Sequence, residues 1–289
     1  MFESTCVASH LGAWACEPGY FRRAVAMVLK GTWPARAAAP GVGGGAPFQV
    51  TAEGVAVIAI EGMMTKGTSK FEGTTSTAVT RRTLRAAAER EDVRAILLKI
   101  SSPGGYVDGT ADLAADVARV AKDVPVEAYI EDIGASAAYW VASQAAKIWA
   151  NPTALVGSLG TFQVLWDESK AYDAAGIKVH VLSTGPLKGA GQSGTEITPE
   201  ILKAEQVLVD DLNAHFMRGV RTGRGMTPKQ VDSVATGEVW IASKAKELGL
   251  IDGIRTIDEV VAALAARGSK ASGARPRRAA ADFRIEDAE

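Results

Sequence analysis

The sequence predicts an α/β fold with a mostly parallel sheet, and two observations carry that prediction. From Val55 onward, short runs rich in β-branched residues alternate with helical stretches: VAVIAI, TAVTRRTLRAAAERE, VRAILLKI, DGTADLAADVARVAKD and VEAYI. The strand runs are also apolar almost throughout, where a half-exposed strand would alternate. Both faces of the sheet are therefore expected to be covered, as right-handed strand–helix–strand crossovers require.

The elements follow in order. Residues 1–49 read as an N-terminal arm ending in the linker WPARAAAPGVGGGAPF, rich in Pro, Gly and Ala and without apolar periodicity. Residues 50–266 form the main domain. After its βαβαβ opening, KIWANP, TFQVLW and IKVHVLS read as strands, and DESKAYDAAG reads as a helix stopped by Gly176. A long helix is predicted from about Pro199 to Arg221. Shorter elements close the domain: a helix near Pro228, the strand VWIAS, the helix KAKEL with Gly249 as its C-cap, and the helical TIDEVVAALAA. Residues 267–289 have few large apolar residues and mixed charge, and are expected to be a disordered tail open to self-cleavage.

Composition narrows the function. With a net charge of -1 over 289 residues, no basic field points to nucleic acid or an anionic membrane. Cys6 and Cys16 allow one disulfide but no disulfide framework, and with His10 they make a weak metal cluster, so no metal site is expected. The apolar run Ala24 to Leu29 is far short of the ~20 residues of a membrane-spanning helix, and the chain reads as cytoplasmic.

Two segments could carry chemistry. In SSPGGYVDG, Ser101 to Gly109, adjacent glycines after a strand permit a sharp turn that leaves backbone N–H groups free for an anion. A plain strand-to-helix connection explains them equally, while the segment lacks the lysine and hydroxyl of a phosphate-binding loop. In EDIGASAAYWVAS, Ser136 stands where a strand gives way to a helix, among small neighbours that would admit a substrate backbone. An ordinary helix-capping serine fits the segment too.

A serine nucleophile needs a base. His10 precedes the domain, His180 falls within IKVHVLS and His215 within the long helix, so each reads as structural. The alternative is Lys188, in the glycine-rich loop STGPLKGAGQSG with no acidic residue before Glu196. Burial there without a counter-charge would disfavour the ammonium form, as a lysine base requires. A lone loop lysine is otherwise a solvated surface residue.

Taken together, SSPGG, ASAAYW, VGSLG and the loop lysine, in this order from about Val55 to Leu264, resemble the signal peptide peptidase A family of serine proteases. The resemblance implies a crotonase/Clp-protease-like stack of ββα units. It implies Ser136 as nucleophile, Lys188 as general base, Ser158 orienting the lysine, and an oxyanion hole of the Gly105 and Ala137 amides. This serine–lysine chemistry needs no metal or organic cofactor. Many members carry Gly-Gly after the nucleophile where this chain has Ala137 and Ala138, whose methyls narrow the adjacent pocket. The ASAAYW form without a membrane anchor is similar to the branch of phages and prophages that processes capsid or scaffold proteins, in host cytoplasm or procapsid.

The expected partners are an extended polypeptide substrate, further copies of the chain in a ring or dome, and capsid or scaffold proteins. The competing readings are a signal-peptide-degrading cellular peptidase, a crotonase-type acyl-CoA enzyme, a Clp-type Ser-His-Asp peptidase and a non-catalytic assembly scaffold. The serine–lysine pair disfavours the acyl-CoA enzyme, and the lack of a histidine shortly after Ser136 disfavours the Clp type.

Overall fold

A computed structural model of the chain describes residues 13–30, 48–67 and 73–272. It is mixed α/β with mostly parallel strand pairing, as the strand runs predicted. The main sheet has eight strands, of which β3 (Val55–Glu61), β6 (Ala95–Ser102) and β8 (Val126–Ala135) form the parallel centre. β9 (Lys147–Ala150) and β10 (Leu155–Gly157) pair in parallel with successive parts of the long β8. β12 (Gly253–Ile254) joins β9 in parallel, while β2 (Gln49–Val50) and β11 (Val239–Ile241) are antiparallel edges.

The reason the central runs are continuously apolar is visible in their side chains. Ile58, Ile60, Leu98, Ile100 and Ile130 face one way, into a core closed by α2 (Thr77–Glu89), α3 (Thr110–Val120) and α4 (Ala137–Ala142). Val55, Ala95, Leu97 and Tyr129 face the other way and are buried against Val260 and Leu264 of α9 (Ile257–Ser272). Ser76 caps α2 by accepting from Val79 N–H at 3.3 Å, and Arg81 and Arg85 of α2 converge on Asp116 of α3. These ion pairs clamp the two helices beside the sheet.

A second sheet of four strands lies over the carboxyl ends of the first. Its order is β1 (Trp14–Cys16), β7 (Gly104–Tyr106), β4 (Met63–Thr65), β5 (Thr74–Ser76). β4 pairs in parallel with β5 and β7, whereas β1 runs antiparallel to β7. Helix α1 (Pro18–Leu29) follows β1 directly, with the Glu17 carboxylate accepting from Gly19 and Tyr20 N–H at 2.7 and 2.6 Å. The described part of the expected arm is thus a strand and a helix packed on the domain.

Three further departures from the expected elements have a common cause in tertiary contact. IKVHVLS, with His180, is no strand: Ile177, Val181 and Leu182 stand exposed, and the segment has no strand pairing among the described residues. TFQVLW reduces to one bridge, Phe162 to Trp14. At the other end α9 runs past Arg267, which pairs with the buried Glu127 of β8, so residues 267–272 are helical where a tail was expected. The rest of that tail, residues 273–289, lies outside the described residues, as do Cys6 and His10.

The segment between Phe162 and the body of α6 (Pro199–Arg224) is the least buried part of the domain. It holds α5 (Ser169–Ala174), which has no buried residue. Helix α6 is capped by Thr198 at its start and by Gly225 at φ 63° at its end, yet its fully buried residues, Phe216 and Val220, both lie in its C-terminal half. Helices α7 (Pro228–Asp232) and α8 (Ala242–Glu247) complete the fold.

Candidate active site

Parallel strands deliver their carboxyl ends to one edge of a sheet, where α/β proteins place ligands. Here β6 ends at Ser102, and β8 and β10 end one residue before Ser136 and Ser158. Because Ala135 is paired with Gly157, the serines that follow them, Ser136 and Ser158, leave adjacent strands side by side. Both have φ 53°, and among the described residues they are the two non-glycine residues with positive φ. Two left-handed serines on neighbouring strand ends are a local strain of the kind that concentrates at functional sites.

Ser136 has ψ −119°, which with its φ is the first central position of a type II′ turn, ordinarily glycine territory. It precedes α4 without capping it: no N–H of the helix donates to its hydroxyl. The capping explanation of this serine therefore fails. The Oγ instead lies 3.5 Å from the Gly160 carbonyl oxygen, at the limit of hydrogen bonding, and the side chain is buried. Helix α4 is buried along its whole length, and Tyr139 anchors it by donating from its hydroxyl to the Leu250 carbonyl at 2.8 Å.

Beside Ser136 stands the Gly104–Gly105 turn. Ser102 is buried, donates to the Gly62 carbonyl at 2.6 Å and accepts from Gly104 N–H at 3.2 Å, which fixes the turn. Gly104 has φ 94°, and a Cβ there would stand 2.9 Å from both Ala135 O and Ala137 N and 2.2 Å from Ala15 O. Only glycine fits a backbone so closely flanked. The two amides read from sequence as oxyanion donors, Gly105 and Ala137, thus belong to segments in direct contact.

Ser158 is buried, and its N–H donates to the Glu238 carbonyl. Lys188 is placed elsewhere. It is exposed rather than buried, its backbone N–H donates to Gly185 O at 3.0 Å, and its amine has no hydrogen bond or ion pair among the described residues. The burial expected of a lysine base is corrected accordingly: within one chain the structure brings Ser136, Ser158, Gly105 and Ala137 together and leaves Lys188 in an exposed loop. Among the described residues no group of three or more His, Cys, Asp or Glu could hold a metal ion. A cavity of about 750 Å³ between Thr51, Arg94 and α9 opens at the amino ends of the strands, away from the serines.

A sequence-family model described as Peptidase family S49 matches residues 118–271, more than half of the chain. The chain belongs to peptidase family S49. The matched stretch includes Ser136, Ser158 and Lys188. The chain is 31% identical over 209 residues to Protease 4 of Salmonella typhi, covering 72% of this chain and 34% of that protein. It is 28% identical over 184 residues to the chloroplastic serine protease SPPA of Arabidopsis thaliana, covering 62% and 27%. It is 28% identical over 230 residues to capsid assembly protease C of Escherichia phage lambda, covering 77% and 52%. The chain therefore spans about a third of Protease 4 and half of the lambda protein.

One feature of this S49 chain that sequence reading missed is β1. Trp14–Cys16 lies against the Gly104–Gly105 turn itself. Three residues ahead of a linker-like stretch give no periodicity to read. No helix among the described residues is long and apolar enough to cross a membrane.

Proposed function

We propose that this protein is a serine endopeptidase in which Ser136 is the nucleophile and Lys188 the general base. The observation that carries the reading is Ser136 itself: a strained, non-capping serine at a strand end, between the Gly104–Gly105 turn and the first turn of a buried helix. The membership of family S49 and the protease names of its relatives support it.

In this mechanism a peptide enters extended and pairs with β7 along the edge that β1 covers in the free chain. Ser136 Oγ attacks the carbonyl carbon while its proton passes to the Lys188 amine. The oxygen, now negative, is held by the Gly105 and Ala137 amides, and losing one such donor lowers the rate by about 10²–10³. Collapse breaks the C–N bond as the lysine returns the proton to the leaving amine. A water molecule, deprotonated by the same lysine, then releases the acyl group from Ser136.

The lysine has to reach the serine, and we propose that a second copy of the chain delivers it. The support is the apolar surface around the lysine loop: Leu182 is 98% exposed, and Trp166, Leu187, Leu202, Val207 and Leu208 are each about half exposed. Large apolar side chains left exposed in one stretch of sequence are those an association face would cover. A homo-oligomer would cover it, and the greater share of this chain matched by the lambda capsid assembly protease favours a role in processing capsid or scaffold proteins.

The test is hydrolysis of casein and fluorogenic peptides by wild type, Ser136→Ala and Lys188→Ala side by side. Activity lost in both variants is expected. Undiminished activity in either would remove that residue from the mechanism.

A further inference from the structure

Strand β1 is held as a bound peptide would be. The pairs Trp14–Tyr106, Ala15–Gly105 and Cys16–Gly104 are flanked by Val107 N–H donating to Ala13 O at 3.3 Å and Glu17 N–H donating to Pro103 O at 2.8 Å. Hydrogen-bonded pairs alternate in an antiparallel ladder, so Ala15 and Gly105 form the hydrogen-bonded pair between these two. The Gly105 N–H, read above as an oxyanion donor, therefore points at the Ala15 carbonyl oxygen. That oxygen and Ala137 N both lie within 3 Å of the point a Gly104 Cβ would occupy, at 2.2 and 2.9 Å.

The opposite edge of β1 is held too. Trp14 N–H donates to Phe162 O at 2.8 Å, and Phe162 N–H donates to Trp14 O at 2.9 Å, two residues beyond the Gly160 carbonyl that Ser136 Oγ approaches. Residues 13–15 are thus threaded between β7 and Phe162, with alternate residues bonded to alternate walls. Their side chains fill distinct places. Ala15 is fully buried, and Trp14 stacks on Tyr106 with centroids 4.1 Å apart and meets Phe21 of α1 edge-on at 4.8 Å.

We propose that β1 is a built-in occupant of the peptide groove, lying in substrate register with the Ala15 carbonyl at the oxyanion donors and closing the groove to other peptides until it is displaced. The inference rests on the reading of Ser136 and Gly105 given above. It also names the substrate class: an extended peptide with a small residue at the attacked carbonyl, as Ala15, and a bulky apolar residue before it, as Trp14. Helix α1 tethers the strand, with Phe21 and Ala24 buried on the domain. Detaching β1 and α1 would uncover five buried residues of their own, Trp14, Ala15, Cys16, Phe21 and Ala24, a local opening that costs less than global unfolding.

Cys16 provides a native reporter of the displacement. It is 2% exposed, and burial, with the neighbouring Glu17 carboxylate, pushes its thiol pKa up to about 12, so it should react slowly while β1 is seated. The full chain and its Trp14→Ala variant would be treated with an N-acetyl-Ala-Phe-Ala diphenyl phosphonate, and the adduct on Ser136 followed by mass spectrometry. Alkylation of Cys16 by N-ethylmaleimide would be followed in the same samples. The expected results are faster alkylation of Cys16 once the phosphonate is bound, and phosphonylation of Trp14→Ala faster than wild type by about tenfold or more, the ratio for 1.4 kcal/mol of lost anchoring.

Should Trp14→Ala fail to fold, the Cys16 rate in wild type decides alone. Phosphonylation of Ser136 that leaves Cys16 as slow as before would overturn the inference while leaving the nucleophile in place. Absence of any adduct on Ser136, in wild type and in folded Trp14→Ala alike, would overturn the nucleophile reading and the inference with it.

Discussion

Replacing Ser136 by alanine and by glycine separates its chemistry from its strain. Either change removes the hydroxyl and should abolish peptide hydrolysis. Alanine keeps a Cβ at φ 53°, ψ −119°, whereas glycine is at ease there. A residue held in so sparse a region carries about 1–3 kcal/mol of strain. Glycine also loses a buried methyl and gains unfolded-chain entropy, so the raw comparison mixes three effects.

Ser143 supplies the correction, because it is equally buried and has ordinary helical angles of φ −61° and ψ −17°. At Ser143 glycine should be less stable than alanine by about 1 kcal/mol from entropy plus its lost methyl. At Ser136 the same losses are offset by strain relief. The glycine-minus-alanine difference should therefore be more favourable at Ser136 than at Ser143 by about 1–3 kcal/mol, or several degrees in thermal midpoint. Urea denaturation of the four variants measures it. Equal differences at the two sites would refute the claim that Ser136 is strained.

Two further outcomes follow from the same contacts. Tyr139→Phe removes the hydroxyl that donates to the Leu250 carbonyl in a fully buried position, and should lower stability by about 1–3 kcal/mol in urea denaturation. Burial opposes ionisation of the Asp116 carboxyl, but the Arg81, Arg119 and Arg85 guanidinium groups outweigh it and hold its pKa below the usual carboxylate value. A depressed pKa contributes stability that is full above the unfolded value, about 3.9, and is lost as pH falls through the folded value, so Asp116→Asn should flatten the decline in thermal midpoint below about pH 4.

The central strands were legible because two covered faces demand continuous apolar runs, and VAVIAI, VRAILLKI and VEAYI have them. IKVHVLS has the same composition but is left without a partner strand, and β propensity alone does not make a ladder. Ser136 could be singled out from its small neighbours at a strand–helix junction, while its backbone angles, which distinguish a strained serine from a cap, have no local signature. Arg267, in the last helix, pairs with Glu127, 140 residues away in sequence, a contact with no local signature. The position of β1 depends likewise on groups far along the chain, Gly105 and Phe162. Lys188 was identified by its loop and by resemblance, and neither specifies which copy of the chain it serves.

The most direct test of the account is to co-express Ser136→Ala with Lys188→Ala and assay the mixed assembly for peptide hydrolysis. Each variant alone should be inactive, and random mixing should restore about a quarter of the wild-type sites if serine and lysine come from neighbouring copies of a symmetric oligomer. Active wild type with a silent mixture would contradict the shared site, and activity in Ser136→Ala alone would contradict the nucleophile on which the whole account stands.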